Sequence, residues 1–378
     1  MMRSRQRLLA TLRGEPVDRP AVSFYEIGGW RMDRDADEFT VWNDPSWRPL
    51  VKLALEQTDL MRMVSPTWRE TVDDPIVALT TRESWREGDS RFTRTLIQAP
   101  GRTLRMIVRR DAATQTLWTI EHLLKGPEDA EAYLRLPELD VRTADISGIM
   151  AEEASLGDDG IVLIDVADPI CCAAELFSME DYTVIAMTQP QLFHRLLERF
   201  ARRLLPEYEH LARALPGRLW RICGSEYAGE PYLPPRLYEE YVVRYTGEIV
   251  RSIKKYGGYA RIHSHGRLRG ILPMIAAMGA DALDPLEPPP QGDMELREIK
   301  KAVGDAMVLM GNIEASDIEN LPTPRFERKV ATALQEGMSG GGRGFVLHPS
   351  SCPYGRTITP LAMANYETMV RMTASWAG

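Results

Sequence analysis

Short apolar runs alternate along the chain with longer stretches whose apolar side chains recur every three or four positions. Residues 21–25, 161–165, 219–223, 259–263, 282–286, 307–310 and 344–348 read as strands, each bounded by Gly, Pro or polar residues. Helical patterns fill the spaces between them. Residues 4–13 predict a first helix that stops at Gly14. Leu192, Leu196, Phe200 and Leu204 mark a helix over 191–205. Pro234 and Pro235 open another, with Leu237, Tyr241, Tyr245, Ile249 and Ile253 as its apolar stripe. Further helices are predicted over 271–278, 296–303, 326–334 and 360–376. Strands that alternate with helices imply parallel βαβ units. Many right-handed crossovers in succession close into a barrel. An open doubly wound sheet is disfavoured, because no glycine-rich dinucleotide turn follows an early strand. The expectation is an α/β fold, a (β/α)8 TIM barrel, as one domain spanning 1–378.

One stretch breaks the rhythm. Residues 77–124 are rich in Thr, Arg, Val and Ile, with turns at EGD, APG and RDA. They read as antiparallel β-hairpins inserted in an early βα loop. A lid over the barrel mouth and a solvated edge sheet are both open for this insertion.

Composition narrows the class. Of 378 residues, 44% are apolar and 26% charged, which suits a globular protein with a core. The formal net charge of -8, without a basic stripe, argues against nucleic-acid and anionic-membrane partners. The four cysteines form no secreted disulfide framework, and Cys171 and Cys172 are adjacent. The basic N-terminus lacks the apolar segment of a signal peptide, and no run spans a membrane. A cytoplasmic protein is expected.

Candidate chemistry gathers at predicted strand ends, where barrels place it. His263-Ser264-His265-Gly266 ends one strand; positions i and i+2 share a side, so both imidazoles can face the mouth. A structural, hydrogen-bonded histidine is the blander alternative for either. Cys352 follows the last strand, and thiolate with imidazole suits Zn²⁺; a free Cys is otherwise a small buried hydrophobe. Glu226 and Glu287 are strand-end carboxylates able to act as acid or base, Glu226 also as a ligand. His263, His265, Cys352 and Glu226 are the candidate metal ligands, and Glu226, His265 and Glu287 the candidate catalytic groups. Tyr25, Asp59, Arg62 and Asn312 are candidate substrate contacts. Cys171 and Cys172 read as packing. Ser339–Gly344 lacks a following Lys-Ser/Thr and is no P-loop.

At these motifs the chain resembles the uroporphyrinogen decarboxylase-like superfamily, which includes zinc-dependent, corrinoid-linked methyltransferases. SRQRLLATLRGEPVDRPAV resembles the family's opening helix and strand. HSHG resembles the methyltransferases' His-x-Cys-Gly, with His265 in place of the Cys. LMGNIEASDIENLPTPRFERKV and SSCPYGRTITPLAMANYETMV resemble its last segments, where Cys352 matches a zinc-binding Cys. GSEYAGEPYLPP and DPLEPPPQGD look like a further branch of the same superfamily. The decarboxylases' arginine-rich loop after the first strand is replaced by SFYEIGGWRMDRD; Glu26 stands where cations are needed, and Arg31 and Arg34 restore them only in part. The resemblance implies a zinc-dependent methyltransferase or demethylase. It would move a methyl group between a small substrate and a thiol, a corrinoid protein or a folate-like carrier, with homodimers as the prior. Metal-free decarboxylation of a tetrapyrrole or other acid is the alternative, and a non-catalytic binding barrel a third. No corrinoid-binding motif is visible in the chain, so any corrinoid arrives on a separate protein.

Overall fold

Strand residues alternate between two environments, and that alternation builds a closed layer. The computed structural model describes residues 2–27, 38–69, 74–341 and 344–376. Eight parallel strands form one sheet: β1 (Ala21–Val22), β2 (Leu60–Val64), β3 (Gly160–Ala167), β4 (Leu219–Cys223), β5 (Tyr259–His263), β6 (Ala282–Asp284), β7 (Val308–Ile313) and β8 (Phe345–Pro349). Their spatial order is β1-β8-β7-β6-β5-β4-β3-β2, so each strand from β2 to β8 neighbours its successor. Between β1 and β2 a side chain supplies much of the join. Asp59 donates its N–H to the Val22 carbonyl at 2.7 Å and accepts the Val22 N–H on its carboxylate at 3.0 Å. This is the expected (β/α)8 barrel.

Outward residues such as Val162, Ile164, Trp220, Ile222, Ala260, Ile262, Leu309 and Leu347 pack under the helices in the main core. Inward residues form a second, smaller cluster: Met61, Leu163, Leu219, Val308, Met310 and Val346, sealed from below by Leu8 and Leu12 of the helix Ser4–Arg13. Moving up each strand, the inward positions turn from apolar to charged. Leu163 is followed by Asp165, Leu219 by Arg221, and Val346 by His348. The barrel is thus a dry plug below and a polar mouth above.

Several expected elements occur where the pattern put them: Ser4–Arg13, Leu219–Cys223, Tyr259–His263 and Leu296–Val303. The helix expected over 191–205 continues to Ala214 through Pro206. The strand Leu60–Val64 and the helices Trp47–Gln57 and Ser147–Leu156 were not anticipated.

The insertion lies between β2 and β3. It is a four-stranded antiparallel sheet of Thr80–Glu87, Ser90–Ala99, Arg102–Asp111 and Leu117–Glu121. Ile97 and Leu104 anchor it to the main core. Its last turn meets the loop after β8. Thr114 bridges Gly355, Gln115 donates its N–H to the Tyr354 carbonyl at 3.0 Å, and Arg356 donates its N–H to Ala113 at 3.0 Å. That contact at the top of the barrel agrees with the lid alternative. Arg31, Arg34 and the side chain of Glu26 lie outside the described residues. Among the described residues no helix is long and apolar enough to cross a membrane.

Candidate active site at the barrel mouth

Two histidines two residues apart occupy opposite environments. His263 ends β5 facing inward and is 3% exposed. Its Nδ1 lies 2.9 Å from Asp284 Oδ2 at the end of β6. Since a carboxylate only accepts, Nδ1 carries the proton and Nε2 faces the Tyr25 hydroxyl at 3.4 Å. Burial, with the positive charge of Arg221, overrides Asp284 and pushes the His263 pKa down to about 3, so the ring is neutral.

Arg221 donates to the Tyr25 hydroxyl at 2.8 Å and to Asp165 at 2.6 Å. Arg261 Nε and Asp284 Oδ1 lie 3.0 Å apart, a charge contact in which neither atom has a hydrogen-bond partner. Burial disfavours the Asp284 carboxylate, yet Arg261 and His263 hold its pKa well below the usual range. His348 packs edge-on against Tyr25, ring centroids 5.1 Å apart, and burial pushes its pKa down to about 3.

Above this layer sits His265, whose side chain is 38% exposed. Its ring stands at 89° to that of His263, centroids 4.6 Å apart. Nδ1 meets Glu287 Oε1 at 2.8 Å, and Glu287 Oε2 accepts the Gly266 N–H at 2.6 Å. Gly266 adopts φ 80°, so the chain can turn tightly there and deliver that N–H. Partial burial opposes a charge on His265, but the hydrogen bond and charge of Glu287, then Glu226, raise its pKa. Glu287 is lowered in return, mainly by His265 acting against its own burial. Glu226 follows β4 in the turn Ser225–Ala228, and burial raises its pKa. Gly224 makes room for that turn: a Cβ there would fall 2.2 Å from Asp168 Oδ1 and 2.4 Å from Cys171 Cβ.

The mouth therefore brings together Tyr25, Glu226, His263, His265 and Glu287 from the sequence-predicted set. Asp59 is corrected to a structural role. It is fully buried at the start of β2, the end of the strand away from the mouth, and pairs with Arg7 at 2.5 Å and Arg19 at 2.9 Å. Arg62 is corrected likewise: it points outward from β2 to Glu152 and to Ser155 at 2.7 Å. Asn312 lines a separate groove of about 570 Å³ with Pro288, Pro289 and Arg325. Cys352 donates its thiol to Gln115 Oε1 at 3.2 Å, because the loop after β8 turns to meet the insertion. Among the described residues, no three His, Cys, Asp or Glu side chains are arranged to hold a metal ion. The donor set expected for zinc thus does not fit together: the Cys352 thiol is engaged by Gln115, although the Nδ1–carboxylate contacts of the two histidines do not themselves prevent ligation through Nε2.

Sequence reasoning missed Arg221, Arg261, Asp284, Glu314, His348 and Ser350. The signal for Arg221 and Arg261 was available. Each sits two residues before a strand-end residue, Cys223 or His263, and so shares its inward face.

A sequence profile described as uroporphyrinogen decarboxylase (URO-D) matches residues 149–360, more than half of the chain and all strands from β3 to β8. The chain belongs to the URO-D family. Within this family fold, the mouth residues of β4 to β8 fall inside the matched region, while Tyr25 and the insertion lie before it. Among solved structures, a methyltransferase from Methanosarcina mazei superposes with a TM-score of 0.58 at 15% identity, covering 98% of this chain and 98% of that chain. At that identity the likeness speaks for a shared URO-D-like barrel alone. A D-psicose 3-epimerase from Clostridium cellulolyticum H10 gives a TM-score of 0.30 at 9% identity, covering 62% of this chain and 88% of its own. No curated protein sequence matches the chain.

Proposed function

We propose that this URO-D-family chain is a methyltransferase that moves a methyl group between a small substrate and a thiol, corrinoid or folate-like carrier. The observation that carries the reading is the His265–Glu287 dyad: a partly exposed imidazole whose Nδ1 is held at 2.8 Å by an anchored carboxylate, which leaves Nε2 as the nitrogen for a reacting group. The fold shared with a methyltransferase supports the choice of reaction.

Methyl transfer between heteroatoms needs one proton managed at the bond that breaks. In demethylation, the carbon–heteroatom bond breaks, the methyl group passes to the acceptor, and protonated His265 gives its Nε2 proton to the departing heteroatom. In reverse, neutral His265 takes the proton of a thiol as its sulfur attacks the methyl carbon. Glu287 stabilises the imidazolium in both directions. Glu226, buried beside this pair, adds negative charge when ionised and so favours the imidazolium further. Tyr25 and His263 close the floor, with Arg221 fixing the Tyr25 hydroxyl.

The acidic rim argues against the decarboxylase alternative with a multiply anionic tetrapyrrole. Glu226, Glu287 and Glu314 surround His265, and the nearby Arg221 and Arg261 already face Asp165 and Asp284. The test uses methylcobalamin as donor and 2-mercaptoethanol as acceptor. Decay of the methylcobalamin spectrum and appearance of the S-methyl product by mass spectrometry are followed together. Wild-type turnover that falls roughly 100-fold or more in His265→Gln is expected. Absence of transfer by the wild-type protein, or an unaffected variant, would sink the reading.

A further inference from the structure

Glu314 is the mouth carboxyl that the dyad does not use. It directly follows β7 and is 7% exposed. Ser350, in the loop after β8, donates its hydroxyl to Oε2 at 3.3 Å. Ser350 is itself fixed: it donates its N–H to the Ile313 carbonyl at 2.7 Å and its Oγ accepts the Ala315 N–H at 3.1 Å. The other oxygen, Oε1, is buried and has no hydrogen-bond partner. A well-supported carboxyl with one buried, unmatched oxygen is costly to keep, and the cost is recovered when a ligand supplies the missing partner.

The charged groups around it come from three elements. Glu287 after β6 and His265 after β5 face it, and Asp317 lies on its own helix, paired with Lys329. Burial, then the charge of Glu287, push the Glu314 pKa up to about 7, against the pull of Ser350 and His265. A carboxyl in that state holds a proton in neutral solution for much of the time and can donate it in a hydrogen bond.

We infer that Glu314 is a substrate-contacting acid whose Oε1 binds an oxygen or nitrogen acceptor on the molecule held over His265. The substrate is then bifunctional. One atom takes part in methyl transfer at His265 and a second, uncharged polar atom docks on Glu314. The location of the reacting atom rests on the methyl-transfer reading; the unmatched state of Glu314 does not.

Two variants separate these. Glu314→Gln keeps a donor but cannot ionise, and Glu314→Leu removes the donor. In the first measurement, melting is followed at pH 5 and pH 8.5. Glu314→Gln should match wild type at pH 5 and melt several degrees higher at pH 8.5, where the wild-type protein must bury a charge. A lower melting temperature at both pH values would show that the carboxyl is a satisfied structural group and overturn the inference. The second measurement is methyl transfer from methylcobalamin to 2-mercaptoethanol and to ethanethiol, which lacks the hydroxyl. Wild type should prefer 2-mercaptoethanol about tenfold in kcat/KM, the worth of one hydrogen bond, and Glu314→Leu should lose that preference. The wild-type rate should rise as His265 deprotonates and fall through about pH 7, and Glu314→Gln should lack the falling limb. An unchanged preference in Glu314→Leu also overturns the inference. If wild type transfers no methyl group, the methyl-transfer reading fails while the melting comparison still decides whether Glu314 stands unmatched.

Discussion

His263 and His265 differ by two positions and share one face of the barrel, yet burial separates their chemistry. His263 is sealed between Asp284 and Tyr25 and stays neutral, whereas His265 meets water and Glu287 and favours the charged form. Glu287→Gln should therefore lower the His265 pKa, move the rising limb of thiol methylation to lower pH, and slow turnover by about 10- to 100-fold. A pH–rate profile that keeps its position would separate Glu287 from the dyad. Asp59 gives a contrasting case. Asp59→Asn leaves Arg7 buried beside a neutral amide, and denaturant melts should show a loss of about 3–5 kcal/mol. The histidines were legible because the i, i+2 rule needs only a strand end. Asp59 and Arg62 were misread because the strand Leu60–Val64 went unrecognised, so neither its direction nor its faces could be assigned. Glu314 was invisible for another reason: a Glu after GN looks solvated until β7, β8 and Ser350 are seen to enclose it.

At the level of elements, the strands from β3 onward were legible because both of their faces are buried, giving apolar runs between clear punctuation. Trp47–Gln57 and Ser147–Leu156 escaped notice because β2, the barrel strand between them, went unrecognised and only the inserted hairpins were read there. The insertion was legible as hairpins, but its docking was not, since the bridge from Thr114 to Gly355 joins segments far apart in sequence. That contact assigns Cys352 a task in holding Gln115. Cys352→Ser keeps a hydroxyl donor and should leave turnover within about twofold. Gln115→Ala removes the shared acceptor of Cys352 and Trp42. Limited proteolysis should then cut Gln115→Ala faster than wild type near residues 112–116. Equal cleavage would show that the backbone bridge alone holds the insertion down.

For the whole molecule, the buried titratable groups set an asymmetric response to pH. His263 and His348 have folded pKa values of about 3, below the usual 6.5. The unfolded chain therefore binds more protons between those values, and stability falls as pH drops from about 6.5 towards 3. Each group contributes roughly 1.4 kcal/mol per pH unit across that window. Glu314 acts in the opposite sense: its raised pKa means that stability is lost as pH climbs from about 4.5 through 7. Asp168, which burial also raises to about 7, adds to that loss, so melting temperatures should change little between about pH 4.5 and 6.5 and fall steeply below about pH 4; the absence of that acid fall would contradict the buried neutral histidines. The acidic mouth adds an expectation on substrate range. Anaerobic incubation with uroporphyrinogen should return it unchanged, as judged by chromatography of the oxidised porphyrins.

The seam between the first two strands has a consequence for how the chain comes off the ribosome. β1 finds its strand ladder only on β8, and its join to the start of β2 runs through Asp59, by backbone N–H and carboxylate. While synthesis is under way, β2 through β7 can zip in order as each emerges, but the opening segment has half of its docking site missing until Phe345–Pro349 has been made. Ring closure is thus the final act of assembly. Until then Leu8 and Leu12 have no finished barrel floor to plug, so the nascent chain offers chaperones the exposed apolar face of the helix Ser4–Arg13.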